Sequence, residues 1–120
     1  MKTKLFLLSF LLISGITFAQ KQPKVIKSDF TVYGNCTQCK DRIETVLDHN
    51  GIKKSTWDTK TKVLNVVYNP AKISELQIHQ LIASVGHDTD KVKAKDEVYA
   101  ELPYCCLYRD HDMPVDSSHK

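Results

Sequence analysis

From Val25 the chain alternates, and Ile26, Phe30 and Val32 fall on one side of a predicted strand that ends at Gly34. Cys39, Ile43, Val46 and Leu47 then recur at helical spacing, and Asn50-Gly51 supplies the stop. Ile52 to Asp58 and Lys62 to Tyr68, joined by Thr59-Lys60-Thr61, read as a hairpin closed by Asn69-Pro70; Leu64, Val66 and Tyr68 share its core face, with Val63 and Val67 partly buried on the other. A second helix carries the clearest signals. Ser74 and Gln77 form a capping box, Ile73 and Ile78 are placed as a hydrophobic staple, and Ile78, Leu81, Ile82 and Val85 make a buried stripe that Gly86 ends. Val92 and Ala94 suggest a short fourth strand within Asp88 to Lys95.

The order β-α-β-β-α-β predicts an α+β, ferredoxin-like sandwich, an antiparallel sheet with two helices on one face. Residues 96–120 lie outside that plan. Asp96 is expected to cap a short helix ending at Pro103, Tyr104-Cys105-Cys106 follows, and the polar residues beyond Arg109 are expected to fray.

Composition changes this picture at the N-terminus. Lys2 and Lys4 precede an apolar stretch from Leu5 to Phe18, shorter than the roughly 20 residues of a membrane helix. Thr17-Phe18-Ala19 places small residues where a signal peptidase reads, so residues 1–19 are expected to be a signal peptide and the protein periplasmic or secreted. An uncleaved anchor is the plainer alternative. The 120 residues carry 17 Lys+Arg against 14 Asp+Glu, a formal +3. Cleavage would remove two of the basic residues and leave the mature chain near neutral, which argues against nucleic acid as a partner. No membrane association is expected after cleavage.

What remains are four cysteines and five histidines in one small domain. Cys36-Thr37-Gln38-Cys39 falls at the junction of the first strand and first helix, so the loop presents Cys36 and the first helical turn presents Cys39. A helix N-terminus favours thiolates, which metal binding and nucleophilic chemistry both need. Two thiolates suit soft ions of low coordination, above all Cu(I), whereas structural Zn(II) normally takes four ligands.

Val32-Tyr33-Gly34-Asn35-Cys36-Thr37-Gln38-Cys39 inside this element order, with Tyr68-Asn69-Pro70 after the third strand, resembles the heavy-metal-associated domain. That family includes copper chaperones, copper-ATPase metal-binding domains and the periplasmic mercury-binding protein. The likeness covers roughly Lys24 to Ala94, within an expected domain of residues 20–95, and implies Cys36 and Cys39 as metal ligands, Cu(I) as the ion, Hg(II) as its nearest alternative and Zn(II) as a further one. It also implies a metal-receiving protein as partner, and a monomer or a metal-bridged dimer. The family usually carries Gly-Met-x-Cys-x-x-Cys; here Asn35 alone separates Gly34 from Cys36, and the Met is missing. Where many members place Tyr or Phe after the second helix, this chain has His87, which in similar chaperones reaches the ion; an exposed loop residue is the plainer reading.

Cys36 and Cys39 also admit a short-range disulfide, natural in an oxidising compartment. Cys105 and Cys106 are either additional ligands brought back by the C-terminal segment, or thiols paired with Cys36, Cys39 or another molecule. His79 and His49 are expected as ordinary helix residues, and His111 and His119 as tail residues. Trp57 is expected in sheet packing, and Lys40 and Arg42 on a solvated helix face. The expectation is a soft-metal carrier or scavenger that passes its ion by thiolate exchange. No serine-histidine-acid, phosphate-loop or paired-carboxylate pattern suggests an enzyme, and the enzymatic alternative is a thiol-disulfide oxidoreductase using Cys36 and Cys39.

Overall fold

The computed structural model describes residues 24–110; the expected signal peptide, His111 and His119 lie outside them. Strand β1 spans Ile26–Thr31, helix α1 Thr37–Val46, β2 Ile52–Trp57, β3 Val63–Tyr68 and helix α2 Glu75–Ser84. The strands form an antiparallel sheet in the order β1-β3-β2. Phe30 pairs with Leu64 and Trp57 pairs with the same Leu64 from the other side, so alternate residues of all three strands face one core. That core joins Phe30, Val32, Trp57, Leu64, Val66 and Tyr68 from the sheet side to Cys39, Ile43, Leu47, Ile78 and Ile82 from the helices. The α+β class and the ferredoxin-like plan are therefore as expected.

Helix α2 begins as its local sequence dictates. The Ser74 hydroxyl accepts from the Gln77 N–H at 3.1 Å, and the Gln77 side chain accepts from the Ser74 N–H at 2.8 Å. Gly86 ends the helix with φ at +102°, a left-handed turn where its missing Cβ also leaves room for Leu102. The buried face, however, is rotated from the expected stripe: Ile78, His79, Ile82 and Ala83 are buried, and Leu81 is only half-buried. His79 is thus a core residue rather than a solvated one. Its ring stacks on Phe30 at 3.8 Å and its Nδ1 meets the Thr89 hydroxyl, so β1 and the following loop cover a position that looks peripheral on the helix alone.

The expected fourth strand is reduced to a single bridge between Val32 and Thr89. Side chains take the backbone donors a strand would use. Thr89 Oγ1 accepts from the N–H groups of Lys91 and Val92, and Asp88 Oδ1 accepts from the Ala94 N–H at 2.7 Å. The segment still buries Ala94, so its alternation was real although its ladder is not.

The C-terminal segment forms a short helix α3, Asp96–Tyr99, and a 3-10 turn, Tyr104–Cys106. Asp96 lies in the first turn of α3, and Lys95, not Asp96, holds the capping position. The segment packs on the domain through Tyr99, Leu102, Cys106 and Tyr108, all buried. Among the described residues no helix is long and apolar enough to cross a membrane.

Candidate metal centre

Cys36 is the N-cap of α1, in extended conformation, and its carbonyl accepts the Lys40 N–H at 3.1 Å. Ser, Thr, Asp or Asn would normally stand there and bond the helix's free N–H groups. Cys36 instead places a sulfur at the positive end of α1, where negative charge is favoured. One turn on, Cys39 is fully buried, with its Sγ accepting the Asn35 N–H at 3.3 Å. The two sulfurs lie 3.6 Å apart.

Gly34 is required beneath them. A Cβ there would come within 3.1 Å of both the Cys39 Cβ and the Trp57 ring. Trp57 is fully buried and donates its Nε1–H to the Val32 carbonyl at 3.0 Å, fixing the end of β1 against β2 directly under the loop.

The C-terminal thiols arrive at the same place. Cys36 Sγ is 3.5 Å from Cys105 Sγ and 3.6 Å from Cys106 Sγ, and the sulfurs of Cys36, Cys39 and Cys106 all lie within 4.8 Å of one another. Cys105 is exposed and lies outside that set, although its sulfur is 3.9 Å from that of Cys106. All four cysteines are free thiols. Asn35, standing where the expected Met is missing, donates through Nδ2 to the Cys105 carbonyl at 3.0 Å and so ties loop to tail.

Electrostatically the cluster places its first negative charge on Cys36. Burial pushes the Cys36 thiol up, but the Cys39 N–H and the thiols of Cys105, Cys106 and Cys39 together outweigh it and hold its pKa below the usual thiol value. Burial raises Cys39, and pushes Cys106 up to about 12 against the opposing Arg42 guanidinium. Hydrogen bonding to Cys36, followed by partial desolvation, pushes Cys105 up to about 11. Cys36 is therefore the first of the four thiols to give up its proton.

His87 is buried rather than exposed, and it is not part of the three-sulfur set. Its Nδ1 lies 2.8 Å from the Tyr33 carbonyl, which assigns the proton to Nδ1 and leaves Nε2 as the acceptor nitrogen. Nε2 is buried with no hydrogen-bond partner, and the ring stacks on Tyr108 at 5.5 Å. Neither basic residue near the thiols is a free surface charge. Lys40 bonds Glu44 at 2.6 Å and the Trp57 carbonyl at 2.7 Å, and Arg42 Nη1 donates to Cys106 Sγ at 3.2 Å. Arg42 thus faces a sulfur rather than solvent, and Asn35 belongs to the site through its bond to the tail. The departure of Gly34-Asn35-Cys36 from the family motif was the one local signal available for Asn35.

No family model and no curated protein matches the sequence. Solved structures do. The domain is similar to a CopZ metallochaperone at 23% identity and a TM-score of 0.52, covering 53% of this chain and 98% of that one. A copper binding domain from a P-type ATPase is 26% identical with a TM-score of 0.52, covering 53% and 89%. Oxidized MerP from Ralstonia metallidurans CH34 is 19% identical with a TM-score of 0.52, covering 55% and 94%. The chain shares the fold of these metal-binding domains, which bears out the resemblance drawn from Val32 to Cys39. Nearly all of the metallochaperone is used in matching about half of this chain, so the remainder has no counterpart in it.

Proposed function

We propose that the protein is an exported soft-metal-binding protein, without enzymatic activity, that takes Cu(I) on Cys36 and Cys39 and passes it to a metal-receiving protein by thiolate exchange. The observation that supports this most directly is the convergence of the two sulfurs, 3.6 Å apart, at the N-terminus of α1. Each thiol that ligates loses its proton to solvent, and the helix terminus favours the thiolate that remains. Soft, low-coordinate ions match that donor set. The copper binding domain at 26% identity supports copper, and Hg(II) is the competing ion because the same soft donor set suits it.

Anaerobic native mass spectrometry of the reduced mature protein, with Cu(I), Zn(II) and Hg(II) in competition, tests the reading. Retained Cu(I) in preference to Zn(II) is expected. Failure to retain any soft ion would overturn it, and preferential retention of Hg(II) would reassign the cargo. Insulin reduction separates the enzymatic alternative, since a carrier should be nearly inactive in that assay. Export is tested by the N-terminus of the secreted form, expected at Gln20.

A further inference from the structure

The C-terminal segment is held over the loop by a dedicated set of contacts. Arg109 donates to Asp88 at 2.9 and 2.7 Å, to Asp96 at 3.0 Å and to the Ala94 carbonyl at 2.7 Å, and lies 4.3 Å from the Tyr99 ring centre. The Tyr108 hydroxyl donates to the Gly86 carbonyl at 2.7 Å and accepts the Asp88 N–H at 2.8 Å. These bonds, with Asn35 on Cys105, deliver a fully buried Cys106 to sulfurs presented by α1. A buried cysteine is ordinarily a small apolar filler. Cys106 instead faces the sulfurs of Cys36, Cys39 and Cys105 and the Arg42 guanidinium.

The spacing separates a linear site from one of higher coordination. With metal–sulfur bonds of about 2.3 Å, a linear two-sulfur site needs sulfurs about 4.6 Å apart, a trigonal three-sulfur site about 4 Å and a tetrahedral four-sulfur site about 3.8 Å. The separations from Cys36 to Cys39 and from Cys36 to Cys106 are both 3.6 Å, well short of the linear value. The sulfurs that lie within 4.8 Å of one another are those of Cys36, Cys39 and Cys106, and exposed Cys105 falls outside that set.

We propose that the ion is held by three thiolates, Cys36, Cys39 and Cys106, with exposed Cys105 as the thiol through which it enters and leaves. The inference rests on the reading of Cys36 and Cys39 as the metal pair. Three thiols release three protons to solvent on binding, and one Cu(I) then leaves two negative charges, one of which Arg42 faces directly at 3.2 Å. A third sulfur favours retention over rapid hand-over, so the tail shifts the protein toward sequestration. Cys105, 3.5 Å from Cys36, offers the incoming or departing ion a sulfur at the surface.

The test is X-ray absorption at the copper edge of the full mature chain loaded anaerobically with Cu(I), with competition against a Cu(I) chelator. Three sulfur neighbours are expected in the unsubstituted protein, a measurement that needs no variant. Cys106→Ala should leave two sulfurs and lower affinity by roughly tenfold or more, since losing even a group that only supports a ligand costs about ten- to hundredfold. Cys105→Ala should keep three sulfurs and slow release to excess chelator. Two sulfurs in the unsubstituted chain, or unchanged affinity in Cys106→Ala, overturns the three-thiolate site while the Cys36 and Cys39 pair stands. No uptake of Cu(I) at all overturns both.

Discussion

Acid should weaken this fold through His87. Burial, reinforced by Arg42 and opposed by the Tyr33 carbonyl, pulls the imidazole down to about 4 from an ordinary 6.5. The fold therefore holds His87 neutral while the unfolded chain takes up a proton below about pH 6.5. Stability from the neutral ring is complete above that value, falls as the pH drops from about 6.5 toward about 4, and levels off below. At about 1.4 kcal/mol per pH unit over the part of the window crossed, going from about pH 7 to about pH 5 costs about 2 kcal/mol. Urea titrations at the two pH values can be followed through Trp57, the one tryptophan in the chain and fully buried in the fold. His87→Asn supplies the comparison, since its side-chain amide can still donate to the Tyr33 carbonyl but does not titrate. His79, also lowered by burial, acts in the same direction in both proteins and cancels in the difference. Asp88 is lowered despite burial because Arg109 and the Ala94 N–H bond it, so its contribution is lost only below the usual carboxylate range, outside the window. The unsubstituted chain should lose about 2 kcal/mol more than His87→Asn; equal losses would refute a neutral buried His87.

Gly34→Ala should cost about 1–3 kcal/mol in the same urea assay, because its Cβ would press on Cys39 and Trp57, and the Trp57 emission should shift with it. Unchanged stability and emission would mean the loop does not rest on that contact. Ser74→Ala removes one half of the α2 capping box and should cost about 1 kcal/mol, read as a lower urea midpoint with an unchanged slope. Arg109→Met leaves Asp88 without its partner and should cost roughly 1.5–3 kcal/mol. It should also make Cys106 open to alkylation by iodoacetamide in the folded protein, and continued protection of Cys106 would show that Arg109 does not hold the tail.

Helix α2 was legible because its determinants sit within a few residues of one another: Ser74 with Gln77, Ile73 with Ile78, Gly86 at the end. The Cys36 and Cys39 pair was legible for the same reason, its strand-to-helix setting being written on either side of it. The burial of His79 was not, since its cover comes from Phe30 on β1 and Thr89 on a later loop. Val92 and Ala94 alternate as a strand should, but nothing in that alternation reveals that Thr89 and Asp88 will take the backbone donors. The convergence of the tail on the thiols depends on Arg109 meeting Asp88 and on Asn35 meeting Cys105, pairings separated by 21 and 70 positions. Periodicity carries no information over such distances.

Cys36 and Cys106 are themselves 70 positions apart. Any ion gripped by both would act as a cross-link that ties the start of the domain to its end. Treated like a disulfide closing a loop of that length, it would restrict the unfolded chain by about 4 kcal/mol. That is comparable to much of the stability of a domain this size. Loading the protein would then do more than charge a carrier. It would set how long the domain survives unfolding, and a chain cut short before Cys106 would lose that reinforcement even with Cys36 and Cys39 intact.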